Sequence, residues 1–133
     1  MIELKQESIE HFNLDDFIDV VFAQAQAYES QVIIISFNPD VVVAAKKAGF
    51  SCGWVIYTMD EDSLQLANQL LPEYLITDVL KVDAQSPELW QAPEGHCWYW
   101  MLYDVQEPQL LKSLMDKGVD LVETGDLTII ERL

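Results

Sequence analysis

The stretch that decides the fold is Val32-Ile33-Ile34-Ile35-Ser36-Phe37, which Asn38-Pro39-Asp40 follows directly. The run is apolar on both faces, which is typical of a central strand in a parallel sheet. Asn38 is a favourable helix N-cap and Pro39 suits the first helical position, so we expect a helix from there to Lys47. A strand followed at once by a capped helix predicts a β–α unit.

Strand-like and helix-like stretches alternate along the rest of the chain. We expect further strands at residues 2–5, 53–57, 74–77, 97–103 and 119–124, and helices at 13–28, 60–71, 107–117 and 127–132. Residues 84–95 contain two prolines and a glycine and are expected to be irregular. Because a complete eight-stranded barrel takes about 250 residues, the pattern predicts an incomplete TIM-type (β/α) barrel. This α/β fold would have six mainly parallel strands with helices packed outside.

Composition limits the classes of protein to which the chain can belong. Its 133 residues are 50% hydrophobic, which predicts one domain spanning residues 1–133. The 23 acidic and 7 basic residues give a net charge of -16, which argues against nucleic-acid and membrane binding. Only two cysteines, Cys52 and Cys97, occur. We expect both to be buried thiols in a cytoplasmic protein.

Three segments carry a pattern that extends over nearly the whole chain. They are Ile2-Glu3-Leu4-Lys5, then 32–39 with Ser36-Phe37-Asn38, then 118–124 with Gly118-Val119-Asp120. In this order and spacing they resemble strands three to eight of the glycerophosphodiester phosphodiesterases. The resemblance implies a phosphoric diester hydrolase fold with a role in lipid metabolism. It also implies that Glu3 is a metal carboxylate, and that Lys5 and Tyr103 lie on the substrate side.

The motifs that carry catalysis in that family are absent from this sequence. The family has histidines in His-Arg-Gly and His-Asp motifs and two further metal carboxylates in a Glu-x-Asp motif. Here His11 is followed by Phe12 and His96 by Cys97, so no catalytic residue is assigned. We therefore expect a degenerate relative, a pseudoenzyme that does not catalyse on its own and that binds a partner or small ligand.

An alternative is a site rebuilt from acidic residues. Asp60, Asp78, Asp104 and Glu123 lie at or just past expected strand ends, where α/β proteins bind ligands. Together with Glu3 they could hold Mg²⁺ or Ca²⁺, which bind about six to eight oxygens. The chain would then be a metal-dependent glycerophosphodiester hydrolase. The competing interpretation is that these side chains face solvent and that Glu3 pairs with Lys5.

Open edges of an incomplete barrel predict association with another polypeptide. Unpaired edge strands invite pairing, and a barrel normally buries side chains from all its strands. The sequence therefore predicts a homodimer, or a second polypeptide that supplies the missing strands; an alternative is that residues 84–95 fold into the opening. Trp90, in this irregular stretch, is a candidate either to close the open barrel or to anchor a partner.

Overall fold

The computed structural model describes residues 1–82 and 98–133. The expectations for the irregular stretch, Trp90, His96 and Cys97 lie outside the described residues. The chain divides into two compact units, which we call unit 1 (Met1–Val55) and unit 2 (Ile56–Leu133). The single domain expected over residues 1–133 stays a prediction.

Unit 1 holds three parallel strands and the helices that connect them. Its elements are β1 (Ile2–Glu3), α1 (Gln6–His11), α2 (Leu14–Ala25), a 3₁₀ helix (Gln26–Gln31), β2 (Ile33–Ser36), α3 (Pro39–Lys47) and β3 (Ser51–Val55). The register aligns Ile34 of β2 with Ile2 of β1 on one side and with Cys52 of β3 on the other. Ile34 and Cys52 are buried, so the centre of this unit lies along β2 and β3.

Two asparagine caps start α2 and α3 of unit 1 where the sequence predicts these helices. The Asn13 side chain accepts hydrogen bonds from the backbone N–H groups of Asp15 (3.0 Å) and Asp16 (3.3 Å). The Asn38 side chain accepts one from the N–H of Asp40 at 2.9 Å. Each cap satisfies backbone donors that have no partner inside the helix, which fixes where the helix begins.

Unit 2 repeats the alternation of strands and helices. Its described elements are α4 (Glu61–Leu70), β4 (Tyr74–Asp78), a 3₁₀ helix (Val79–Lys81), β5 (Tyr99–Tyr103), α5 (Pro108–Asp116), β6 (Leu121–Val122) and the last 3₁₀ helix (Leu127–Arg132). Strands β4, β5 and β6 pair in parallel. One apolar core joins β5 to α5 and the last 3₁₀ helix, and Val122 of β6 packs against it. The buried members of this core are Val79, Leu102, Val105, Leu111, Leu114 and Ile129.

The described strands follow one another in the order β1 to β6 and are parallel. This confirms the predicted α/β fold, an incomplete TIM-like barrel. Some bounds differ from the expectations: β1 ends at Glu3, because Lys5 already caps α1, a helix that the sequence did not predict. Strand β3 begins two residues earlier than expected, at Ser51. The expected buried position of Cys52 is confirmed.

Candidate functional site

Three predicted site residues of unit 2 share one row at the carboxyl ends of its strands. Asp78 ends β4 and is the register partner of Tyr103, which ends β5. Leu102 pairs with Val122, so Glu123, which directly follows β6, lies beside Tyr103. Register partners in a parallel pair point to the same face of the sheet. The sequence order therefore places Asp78, Tyr103 and Glu123 side by side.

Asp78 has a structural role in this row. Its Oδ1 atom accepts a hydrogen bond from the backbone N–H of Leu80 at 2.8 Å and so caps the 3₁₀ helix Val79–Lys81. The side chain is half-buried. One of its two oxygens thus serves the chain turn, which leaves fewer lone pairs for a cation.

Asp104 forms the turn that follows β5. Its φ is 61°, in the left-handed region that aspartate tolerates better than most residues. The turn lets the N–H of Val105 donate to the carbonyl oxygen of Glu123 at 3.1 Å, and Val105 is fully buried. The left-handed conformation of the exposed Asp104 is therefore accounted for by the turn that it forms.

Glu3 and Lys5 belong to unit 1 and stand on either side of a buried residue. Leu4 is buried, and its N–H donates to the carbonyl oxygen of Ile35 at 2.9 Å. Glu3 and Lys5 are both exposed. The carbonyl oxygen of Lys5 accepts from the N–H groups at the start of α1. The roles that the resemblance implies for these two residues stay predictions.

Metal-ligating side chains are scattered over the part of the chain that the structure describes. No three histidine, cysteine, aspartate or glutamate side chains in residues 1–82 and 98–133 form a group that could hold a metal ion. His11 is exposed at the end of α1, with its ring edge-on to that of Phe12 at 4.9 Å between centroids. Mg²⁺ and Ca²⁺ need more oxygens than one carboxylate provides. The rebuilt metal site therefore stays a prediction.

A large apolar groove lies beside β6, and we call it the β6 groove. It has a volume of about 480 Å³ and lies between α5 and the last 3₁₀ helix. Two polar residues, Asp120 and Thr124, line it. The other lining residues are apolar: Leu111, Met115, Val119, Leu121, Val122, Leu127, Ile130 and Leu133.

The sequence carried a signal for this groove that our sequence interpretation did not use. Leu127, Ile130 and Leu133 recur every third residue, which matches the 3.0 residues per turn of a 3₁₀ helix. They therefore align along one side of the helix, while Ile129 points into the core. More than half of each of the three side chains is exposed: 73%, 57% and 53% in chain order.

The segments around the β6 groove form its rim, and acidic side chains outnumber basic ones in them. Residues 104–133 contain seven acidic and three basic side chains. Asp126 caps the last 3₁₀ helix through a 2.9 Å hydrogen bond from the N–H of Thr128. Hydrogen bonds from the Thr128 hydroxyl and backbone hold the pKa of Asp126 below its usual range, with a smaller contribution from Arg132. Asp126 is thus charged at neutral pH.

Unit 1 also has apolar surface, along α2. The rings of Phe12 and Phe17 stack with 5.9 Å between centroids. They line a groove of about 370 Å³ together with Val20. A second groove of about 340 Å³ lies between Ile2 of β1 and α2, and Tyr28 contributes to it.

Comparisons with known proteins give matches in structure alone. No protein-family model and no curated protein sequence matches the chain. A protein assigned as a glycerophosphoryl diester phosphodiesterase from Silicibacter pomeroyi is similar in structure, with a TM-score of 0.77 and 17% identity. It matches 98% of this chain and 48% of its own. A phosphodiesterase from Oleispira antarctica, solved with its product sn-glycerol-3-phosphate, matches 92% of this chain and 49% of its own, with a TM-score of 0.71 and 19% identity.

Proteins with other names share the same fold. FabK from Thermotoga maritima matches 92% of this chain and 40% of its own, with a TM-score of 0.67 and 8% identity. At such identities the comparisons establish the fold alone, which is glycerophosphodiester phosphodiesterase-like. The chain spans about half the length of the phosphodiesterase structures that it matches.

The described helices are all too short or too polar to cross a lipid bilayer. The cytoplasmic location expected from the cysteines stays a prediction.

Proposed function

We propose that this chain does not hydrolyse glycerophosphodiesters on its own and that it acts by binding another polypeptide at the edge of its sheet. The observation that carries the proposal is the β6 groove, an apolar surface beside the last strand of the sheet. Large exposed apolar patches on a folded protein mark interaction sites. A six-stranded portion of a barrel has two such edges, and further strands and helices would pack there in a complete barrel.

The chemistry of phosphodiester hydrolysis supports the first half of the proposal. The reaction needs a divalent cation to neutralise the phosphate charge and groups that move protons. His-Arg-Gly and Glu-x-Asp motifs do not occur in the sequence of this chain. Asp78 and Asp104, two of the carboxylates nearest the strand ends, already have structural roles as a cap and a turn.

A hydrolysis assay tests the absence of activity directly. The purified chain is incubated with glycerophosphocholine and either Mg²⁺ or Ca²⁺, and release of glycerol phosphate is measured. We expect no turnover above that of buffer. Turnover that Glu3→Gln abolishes and that Glu7→Gln leaves intact would contradict the proposal. Glu7 is the matched control because it is an exposed glutamate on α1 without a predicted role.

A second candidate is a metal-dependent glycerophosphodiester hydrolase, with a rebuilt acidic site or completed by another polypeptide. The row of Asp78, Tyr103 and Glu123 favours it, because it brings two carboxylates and a phenol to one edge of the sheet. Under this candidate Glu123→Gln removes metal-dependent turnover. Glu107→Gln serves as its control, because Glu107 caps α5 through its backbone position without a side-chain hydrogen bond.

A further inference from the structure

We propose that the β6 groove docks an amphipathic helix of another protein, whose apolar stripe is flanked by lysine and arginine side chains. This inference rests on the proposed binding function and adds the chemistry of the partner.

The shape of the apolar surface favours a helix. Leu127, Ile130 and Leu133 form a ridge along the last 3₁₀ helix, and Met115 on α5 is also exposed on the groove wall. An amphipathic helix presents side chains at spacings of three and four residues, which interlock with such a ridge. A groove of about 480 Å³ accommodates several aliphatic side chains of that kind.

Two other kinds of occupant fit the groove less well. A strand added to the sheet would pair with β6, which contains only Leu121 and Val122 and so provides few backbone hydrogen bonds. A small polar ligand would find few partners in a mostly apolar lining. One carboxylate oxygen of Asp120 already accepts a hydrogen bond from the backbone N–H of Trp100 at 2.8 Å.

The negative charge of the chain favours a basic partner. Residues 108–133, which include the segments that form the groove, contain five acidic side chains and three basic ones, and the whole chain carries a net charge of -16. The acidic side chains Asp116, Asp120, Asp126 and Glu131 are exposed. Lysine and arginine side chains beside the apolar stripe of a partner would meet this rim with opposite charge.

A second copy of the chain is disfavoured by the same charges. In a symmetric dimer the same patch is opposed to itself, so an acidic rim would meet an acidic rim. Carboxylates placed within a Debye length of about 8 Å at physiological salt repel one another. The experiment therefore distinguishes a basic helical partner from the homodimer that the open edges predict.

The experiment measures binding of a synthetic helical peptide by fluorescence anisotropy at physiological ionic strength. The probe has about 18 residues, with leucine at positions that share one helix face and lysine elsewhere. A peptide of the same composition with scrambled leucines controls for charge alone. The groove variant is Leu127→Gln/Ile130→Gln, and the matched control is Val20→Gln/Val43→Gln, two exposed valines of unit 1. Melting curves confirm that all the proteins fold.

We expect the amphipathic peptide to bind the native chain and the unit 1 control equally, and the groove variant about tenfold or more weakly. We expect the scrambled peptide to bind weakly to all three proteins. Equal binding of both peptides, absence of binding, or binding that the groove variant leaves intact would overturn the inference. Light scattering that finds a dimer dissociated by the groove variant would assign the groove to a second copy instead. That outcome would leave the proposed binding function standing, whereas turnover in the hydrolysis assay would overturn the proposed function itself.

Discussion

The two edge strands of the sheet, β1 and β6, are followed by different helices. Beside β1 the chain continues into α1 and then α2, which buries the stripe Ile18, Phe22 and Ala25. Beside β6 it continues into a six-residue 3₁₀ helix that buries only Ile129. The grooves next to the two edges differ accordingly, at about 340 Å³ near β1 and about 480 Å³ near β6.

The difference shows how the length and the geometry of the following helices together decide how much of an edge is covered. An α-helix places residues three and four apart on one face, so twelve residues of α2 bury three apolar side chains. A short 3₁₀ helix aligns every third residue, so one side packs inward and another side stays exposed. Leu127, Ile130 and Leu133 lie on that exposed side. The apolar ridge at β6 is thus a consequence of local geometry.

The largest expected effect is a difference in stability between substitutions on the buried side and on the exposed side of the last 3₁₀ helix. Ile129 is fully buried in the unit 2 core, while its neighbour Ile130 is mostly exposed. We expect Ile129→Ala to lower the free energy of unfolding by about 2–4 kcal/mol, because it leaves a cavity. We expect Ile130→Ala to change it by less than about 0.5 kcal/mol. Urea denaturation measures both; equal losses would show that the helix packs on another side.

The next effect tests how firmly β1 is attached. The buried Ser36 hydroxyl donates to the carbonyl oxygen of Leu4 at 2.7 Å and accepts from the N–H of Asn38 at 3.1 Å. We expect Ser36→Ala to cost about 1–3 kcal/mol, because it removes a partner from each of these groups.

Thr77→Val is the matched change in unit 2. The Thr77 hydroxyl is also buried and donates to the carbonyl oxygen of Ile56, at 3.2 Å. Hydrogen exchange should show faster exchange at the Leu4 amide in Ser36→Ala and not in Thr77→Val. Unchanged exchange at Leu4 in both variants would mean that the hydroxyl does not hold β1.

The smallest effect is a pH dependence confined to the β6 edge. Hydrogen bonds from Thr128 lower the pKa of Asp126 from its ordinary value of 3.8. The folded state thus stabilises the ionised form of Asp126 more than the unfolded state does. Its stabilisation is present above that value and is lost as the pH falls through the lower pKa of the folded state. We expect the protection factors of the Thr128 and Ile129 amides, which are corrected for the intrinsic pH dependence of exchange, to fall below this range.

Asp126→Asn provides the control for this pH dependence. Asparagine also caps helices but does not titrate. The variant should keep the last 3₁₀ helix and lose the acid-induced fall in protection at Thr128. The same fall in the variant would assign the effect to another carboxylate.

Much of the fold could be predicted from the sequence, because its strands and caps are local signals. The run 32–37 and the caps Asn13 and Asn38 specify their elements without help from distant residues. Helix α1 was not predicted, because it buries a single residue, Ile9, and so shows no apolar stripe. Strand β6 is shorter than expected, although the N–H groups of Asp120 and Glu123 still donate to carbonyl oxygens of β5.

The candidate site was less predictable, because it depends on the face of its strand or helix on which each side chain lies. The sequence placed Asp78 and Asp104 at strand ends, but their roles as a cap and a turn follow from backbone geometry. The spacing of Leu127, Ile130 and Leu133 indicates an exposed ridge only once the helix is known to be a 3₁₀ helix.

The most direct test of the account asks which edge an amphipathic basic helix contacts. Methyl NMR spectra of the native chain are recorded while the leucine–lysine peptide is added. If the β6 groove binds the peptide, we expect chemical-shift changes at Met115, Leu121, Leu127 and Ile130, all of which line the groove. Changes centred on Ile2 and Val20 instead, beside β1, or spread evenly over both units, would contradict this expectation.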